Sequence, residues 1–348
     1  MTNSEIFTQV DYLLTSAVRK RCLTTDRPIA CLLSGGLDSS LITALVDEQY
    51  RLQAKTMNNG TTDSLDKRLQ TYSIGLEGSE DLRNARVVAE YLDTEHTEVI
   101  ISEDTVFAAI PEVVRVIESY DVTTVRASIG NYLIGKYISG DTNAKVIFNG
   151  DGSDELFGGY LYMNDCPDAQ EFDRETRRLL KDIHLFDVLR SDKCISSHGL
   201  EPRTPFLDRN VVNGFLSIDY RTRYMLHKKG GKHTLRSSFE GPRRLSAIHG
   251  RPLLPNSVLY RKKEAFSDGV SQQSRSLFTI IQEHIQIDPM FKEYTGVELE
   301  KRYYQYLFDK FYPNMKSIVP YAWMPKYNAY TDDPSARTLQ NYHEHHHP

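Results

Sequence analysis

The chain has 348 residues, 40% of them hydrophobic and 26% charged, enough for a sizeable core in one large or two ordinary domains. A net charge of −5 and a sequence pI near 6.1 give no overall attraction to nucleic acid or to an anionic membrane. The four cysteines, Cys22, Cys31, Cys166 and Cys194, lack C-x-x-C and zinc spacing, no run reaches ~18 apolar residues, and the opening MTNSEIFTQVDYLLTSAVRKR has no cleavage site, so a cytoplasmic protein with free thiols is expected.

After that amphipathic opening, Ile29, Ala30, Cys31, Leu32 and Leu33 read as a buried parallel strand, and Leu41, Ile42 and Leu45 recur at helical spacing. Between them S-G-G-L-D-S (34–39) makes a strand-to-helix turn whose backbone N–H groups and helix N-terminus favour an anion. It reads as a phosphate cradle. The polar stretch 51–70 is expected to be an exposed loop with a turn at Asn58–Asn59–Gly60. TYSIGL (71–76) predicts a strand, DLRNARVVAEYL (81–92) a helix and EHTEVII (95–101) a further strand. A helical region follows over 103–119, then a helix over 127–140 closed by Gly140, and AKVIFNG (144–150) returns as a strand. Alternation of this kind predicts an α/β fold, a parallel sheet covered by helices on both faces, with ligands at the carboxyl ends of its strands. Beyond about residue 170 the strand signal fades and a largely helical second half is expected.

NGDGSDELFGGY (149–160) repeats the logic of the first turn, running from a strand through glycines and acids into a helix beginning near Asp154. Alone, G-D-G and G-G are ordinary turn dipeptides. Together with the first cluster they acquire a chemical reading. Anionic side chains beside a phosphate cradle repel the phosphate unless a cation lies between them, so Asp38 and Asp154 fit ligands of Mg2+ carried by a nucleotide. A Walker-type G-x-x-x-x-G-K-[ST] string is absent from the chain.

S-G-G-L-D-S after a strand resembles the pyrophosphate loop of ATP pyrophosphatases, which split ATP into AMP and pyrophosphate. TYSIGLEGSEDLRNARVVAEYL, ESYDVTTVRASIGNYLIGKYI, GDGSDELFGGYLYM, HLFDVLRSDKCISSHGLEPRTPFLD, RKKEAFSDGV and WMPKYNAYTDDPSARTL narrow the resemblance to the synthetase domain of the glutamine-hydrolysing asparagine synthetase family, over about residues 5–340. The resemblance implies an adenine nucleotide alpha hydrolase-like α/β core over about 25–160, a mostly helical part over about 161–340, and a His-rich tail at 341–348 to which no site is assigned. It also implies ATP and Mg2+, with the β-carboxylate of aspartate attacking the α-phosphorus of ATP and ammonia then displacing AMP.

The roles implied residue by residue are as follows. Ser34, Gly35, Gly36, Leu37, Asp38 and Ser39 hold pyrophosphate and its metal, with Asp154 as the second metal carboxylate. Leu32, Ile74, Asn149 and Gly150 belong to the ATP pocket, and Thr123, Thr124 and Arg126 hold aspartate. An arginine fork suits carboxylate recognition, and a mere surface cation fits poorly at a helix start. Lys263 contacts the α-phosphate and pyrophosphate, where charge grows at phosphorus; without the resemblance its basic run reads as a solvated face. Asp151 stands where many relatives carry Glu and is a candidate for handling the proton of ammonia. Glu201 is either a carboxylate of the kind that related β-lactam-forming enzymes use or the ion-pair partner of Arg203.

Relatives usually carry an N-terminal glutaminase domain, whereas about 30 residues precede the loop here. Thr2 is therefore read as an ordinary terminus, and ammonia is expected free or from a separate glutaminase. Expected partners are aspartate, ATP and ammonia, with a glutaminase chain or a second copy as further candidates, and neither nucleic acid nor membrane. Alternatives are a β-lactam synthetase-like ligase, which the intact T-T-V-R motif disfavours, and a catalytically silent homologue. RNA modification is disfavoured by the acidic balance.

Overall fold

The computed structural model of the chain describes residues 1–57, 68–261, 269–272, 275–327 and 331–339. Five strands, β1 (Ile29–Leu32), β2 (Gln70–Leu76), β3 (Glu95–Ile101), β4 (Val146–Phe148) and β5 (Glu201–Arg203), form one sheet in the order β3-β2-β1-β4-β5, with every pairing parallel. The α/β fold with a helix-covered parallel sheet is therefore as expected. β1 is flanked by β2 on one side and by β4 on the other, and chain order reverses there. Crevices outside the carboxyl ends of strands open at such a point.

In the first half the helices are α1 (Asn3–Leu23), α2 (Leu37–Met57), α3 (Glu80–Leu92), α4 (Glu103–Ile117), α5 (Val122–Asp141) and α6 (Ser153–Phe157). The second half carries α7 (Ala169–Asp182), α8 (Asp187–Ser196), α9 (Arg209–Leu216), α10 (Tyr220–His227), α11 (His233–Ser238), α12 (Asn256–Leu259), α13 (Leu277–Gln286) and α14 (Gly296–Phe311). Side-chain alternation along the strands divides the core. Cys31, Val146 and Phe148 face Leu14, Leu41, Leu45 and Val88 from α1, α2 and α3. Ala30, Ile74 and Ile147 face Ile134 and Ile138 of α5 on the other side. A further cluster, with Val113, Ile281 and Tyr304, joins α4, α13 and α14.

Thr2 caps α1 with a reciprocal pair: its hydroxyl accepts from the Glu5 amide, and the Glu5 carboxylate accepts from the Thr2 amide at 2.7 Å. The four cysteines are free and buried, and burial pushes the Cys22 thiol up to about 12, so these are protonated packing groups. No helix among the described residues is long and apolar enough to cross a membrane.

Several expectations are corrected. α5 starts at Val122 rather than 127, because the Asp121 carboxylate accepts from the Thr124 amide at 3.0 Å and caps the helix there. Gly140 lies inside α5, and the helix closes at Thr142, whose amide reaches the Ile138 carbonyl at 3.2 Å. α2 continues to Met57, so 51–57 is helix instead of loop, and the Asn58–Asn59–Gly60 turn lies outside the described residues. β4 is three residues long, leaving Asn149 and Gly150 to the turn that follows it. The second half is mostly helical but contributes β5, a strand too short for alternation to reveal.

Candidate active site

A cleft of about 810 Å³ opens at the carboxyl ends of β1, β2 and β4. The turn after β1 is braced from within: the Ser34 amide donates to Ser39 Oγ at 3.1 Å, the two serine hydroxyls meet at 3.0 Å, and the Gly36 amide donates to Ser34 Oγ at 3.3 Å. Gly35 has φ of +71°, and a Cβ there would overlap the backbone of Asn84 and Ala85 in α3. Gly150 brings the turn after β4 against the first, since its Cβ would lie 2.8 Å from Asp38 C and Ser39 N. The two Gly-Asp turns are thus packed backbone on backbone. Of the ATP set, Leu32, Ser34, Gly36, Leu37, Asp38, Ser39, Ile74, Asn149 and Gly150 line the cleft, and Gly35 stands behind them.

Asp38 and Asp154, 116 positions apart in the chain by their numbers, converge on one cation of the protein itself. Lys232 Nζ lies 2.5 Å from Asp38 Oδ2 and 2.5 Å from Asp154 Oδ1. Asp38 Oδ1 also accepts from Ser153 Oγ at 2.8 Å. Sequence reasoning missed Lys232. Its signal, a G-G pair inside the basic run HKKGGK, is one that solvated runs share. Nearby, Arg236 donates to the Gly231 carbonyl at 3.0 Å, to the Leu259 carbonyl and, at 3.0 Å, to the Arg261 carbonyl, fixing the chain just before residue 262. Lys263 itself, with Lys262, Glu264, Ser267, Asp268 and the His-rich tail, lies outside the described residues.

The trio assigned to aspartate is less uniform than its motif suggests. Thr123 lines the cleft, and its buried Oγ1 has no hydrogen-bond partner among the described residues. Thr124 Oγ1 is committed to Asp121 Oδ2 at 2.7 Å. Arg126 is only 4% exposed and binds two carboxylates at once. Its Nε and Nη2 reach Glu300 at 2.8 and 2.6 Å, and its Nη1 and Nη2 reach Asp333 at 2.7 and 2.8 Å. It lines the cleft with Thr123, and its charge there is matched by both carboxylates. It ties the segment 331–339, whose Pro334, Ser335, Ala336 and Leu339 form a cleft wall, to α5 and α14.

Deeper along the cleft lies an acidic group that the sequence did not assemble. Asp151 accepts from Asn149 Nδ2 at 2.7 Å. Burial, reinforced by the Asp187 carboxylate, pushes its carboxyl up to about 7. Asp187 Oδ2 accepts from the Gly152 amide at 3.3 Å, and the carboxylate pairs with Arg190 one turn along α8. Glu155 accepts from the Tyr160 hydroxyl at 2.5 Å, and burial drives its carboxyl far upward. Asp187 and Arg190 sit in FDVLR at an ordinary i, i+3 spacing, which gave no hint of this company. Glu201 lies on β5, 62% exposed, and accepts from Arg203 Nε at 2.8 Å, so of the two readings for it the ion pair is the one observed.

A family model for asparagine synthase matches residues 9–168 and 164–293. Over 341 residues, 95% of this chain, identity is 44% to a glutamine-hydrolyzing asparagine synthetase of Gallus gallus and 42% to that of Homo sapiens. The match covers 57% of each of those proteins, so the chain spans little more than half the length of the curated relatives it matches. Among solved structures, similarity extends to an NH3-dependent NAD synthetase from Campylobacter jejuni at 14% identity and TM-score 0.29, covering 66% of this chain and 97% of that one. An NMN synthetase from Francisella tularensis matches at 14% identity and TM-score 0.30, covering 74% and 99%.

Proposed function

Because this chain belongs to the asparagine synthase family, we propose that its cleft activates the β-carboxylate of aspartate with ATP and passes the acyl group to ammonia. One observation carries the reading: two carboxylates and an ammonium meet at a glycine turn whose amides favour an anion. Asp38 and Asp154 already share one cation in Lys232, so this pair of oxygens suits a divalent ion brought by a nucleotide. Bound there, Mg2+ would neutralise phosphate charge.

The remaining chemistry falls to this chain's residues. An oxygen of the aspartate β-carboxylate attacks the α-phosphorus, and the bond to the bridging oxygen breaks with its electrons leaving on pyrophosphate. The turn at 34–39 holds the leaving group through its amides and serine hydroxyls, and Lys232 supplies positive charge beside it. Lys263, carried over from the family motif, is a second cation for the same charge. The hydroxyl of Thr123 orients the aspartate, while Arg126 acts on it only through the wall it anchors. Ammonia then attacks the acyl carbon of β-aspartyl-AMP, AMP leaves, and Asp151 takes the proton that nitrogen must lose.

The first half-reaction isolates this reading. The chain should catalyse aspartate-dependent exchange of labelled pyrophosphate into ATP in the presence of Mg2+. Folded, ATP-binding protein that gives no exchange with any amino acid would sink the ligase assignment.

The role of Asp151 gives a pH prediction. It must be ionised to accept a proton, so with its carboxyl near 7 the amide-forming rate, plotted against free ammonia, should fall as pH drops through that region. Asp187→Asn removes a like charge and frees Arg190 from its ion pair, and both changes lower the Asp151 carboxyl. The acid limb should therefore move to lower pH. A limb that stays in place would assign the proton to another group.

A further inference from the structure

Lys232 does more than line the cleft: its ammonium stands where the two acidic side chains converge. It is 4% exposed, and the side chains of Asp38 and Asp154 are 16% and 15% exposed, so the three groups are largely shielded from solvent. Mg2+ demands oxygens at about 2.0–2.1 Å in near-octahedral array and keeps several waters or phosphates as ligands. The protein alone offers little toward that array, since among the described residues no group of three or more His, Cys, Asp or Glu side chains is placed to hold a metal. An ammonium 2.5 Å from both carboxylate oxygens and a divalent ion bound to the same two oxygens cannot coexist. Their positions collide and their charges repel.

The backbone that delivers Lys232 has space on one side. Lys232 has φ of +58°, a conformation L side chains rarely adopt, and it follows Gly230 and Gly231, around which a Cβ would meet nothing within 4 Å. On the other side it is held closely, with its Cε against Gly159.

We propose that Lys232 is an internal counter-ion that excludes free divalent cations from Asp38 and Asp154 until a polyphosphate enters the cleft. The inference rests on the reading of those two acids as metal ligands given above. A polyphosphate supplies what both cations need: oxygens to receive the displaced ammonium and oxygens to complete the metal shell. Metal and nucleotide are thereby coupled through one lysine, and by linkage each tightens the other. Metal alone faces the closed pair.

The test uses Mn2+ as the probe, with free Mn2+ read by electron paramagnetic resonance in the presence of the full chain. Nucleotide-free wild type should bind Mn2+ weakly, whereas Lys232→Gln and Lys232→Met should bind it more tightly without nucleotide, by about 5–150-fold if the coupling is of ordinary size. Adding Asp38→Asn to either variant should abolish the gain. Wild type that binds Mn2+ without nucleotide as tightly as the lysine variants overturns the proposal. Should neither variant fold, wild type decides alone: Mn2+ binding that is unchanged by a non-hydrolysable ATP analogue overturns it, and binding that appears only with the analogue supports it. Failure of the underlying reading looks different. In that case Mn2+ bound with the analogue would be indifferent to Asp38→Asn and to Asp154→Asn, whereas a loss there beside an unguarded wild-type site rejects the counter-ion alone.

Discussion

Arg126→Ala is expected to destabilise the chain by about 3–5 kcal/mol, the range for removing one partner of a buried ion pair. Glu300 is fully buried and would keep only Gln282 Nε2 at 2.7 Å and the Tyr304 hydroxyl at 2.9 Å. Asp333 would keep the Ser335 amide at 2.8 Å. Burial raises the Asp333 carboxyl, and the Arg126 guanidinium more than offsets this, so that it lies below the usual carboxylate range. Loss of the arginine reverses that balance and charges two carboxylates against each other. The side chain of Asp333 is 15% exposed and can hydrate, which places the expected loss toward the lower end of the range. Arg126→Lys keeps the charge but loses the planar fork, and should recover only part of the stability. Urea unfolding midpoints measure both effects. An aspartate requirement that rises while the unfolding midpoint stays put would restore Arg126 as a direct substrate ligand.

Gly35→Ala is expected to cost about 2–5 kcal/mol, adding about 1–2 kcal/mol for a left-handed backbone to about 1–3 kcal/mol for overpacking. The clash is with the backbone of Asn84 and Ala85, which no side-chain rotation relieves. The turn would have to lift off α3, and its amides would leave the positions from which they hold a leaving group. Pyrophosphate exchange should collapse along with stability. Gly140→Ala is the matched control: Gly140 sits inside α5, a Cβ there meets nothing within 4 Å, and alanine should be neutral or stabilise by up to about 1 kcal/mol. Exchange that survives Gly35→Ala at wild-type rate would show that the turn is free to relax, and would remove it from the machinery.

Much of the architecture was legible because it is written in short-range periodicity. β1 and β2 are apolar runs bounded by turns, and α3 between β2 and β3 carries one buried stripe. The start of α5 turned on a single capping contact at Asp121, β5 went unread because it is three residues long, and polar residues carry α2 on through 51–57. Both Gly-Asp turns were visible for the same reason, since glycine and acid between strand and helix is a local pattern.

The sequence by itself determined the parallel sheet and the two turns at its carboxyl edge, and it set Asp38 and Asp154 side by side as expected ligands of one Mg2+. Only the tertiary structure decided that Lys232 sits between those acids, which acids surround Asp151, and that Arg126 is held by two carboxylates. Its partners Glu300 and Asp333 lie 174 and 207 residues away, and Lys232 is 194 residues from Asp38. Periodicity reports which face of an element is buried but carries nothing about which distant side chain shares that burial. A charge is therefore readable as a ligand or as a spent partner only once the fold has placed its neighbours.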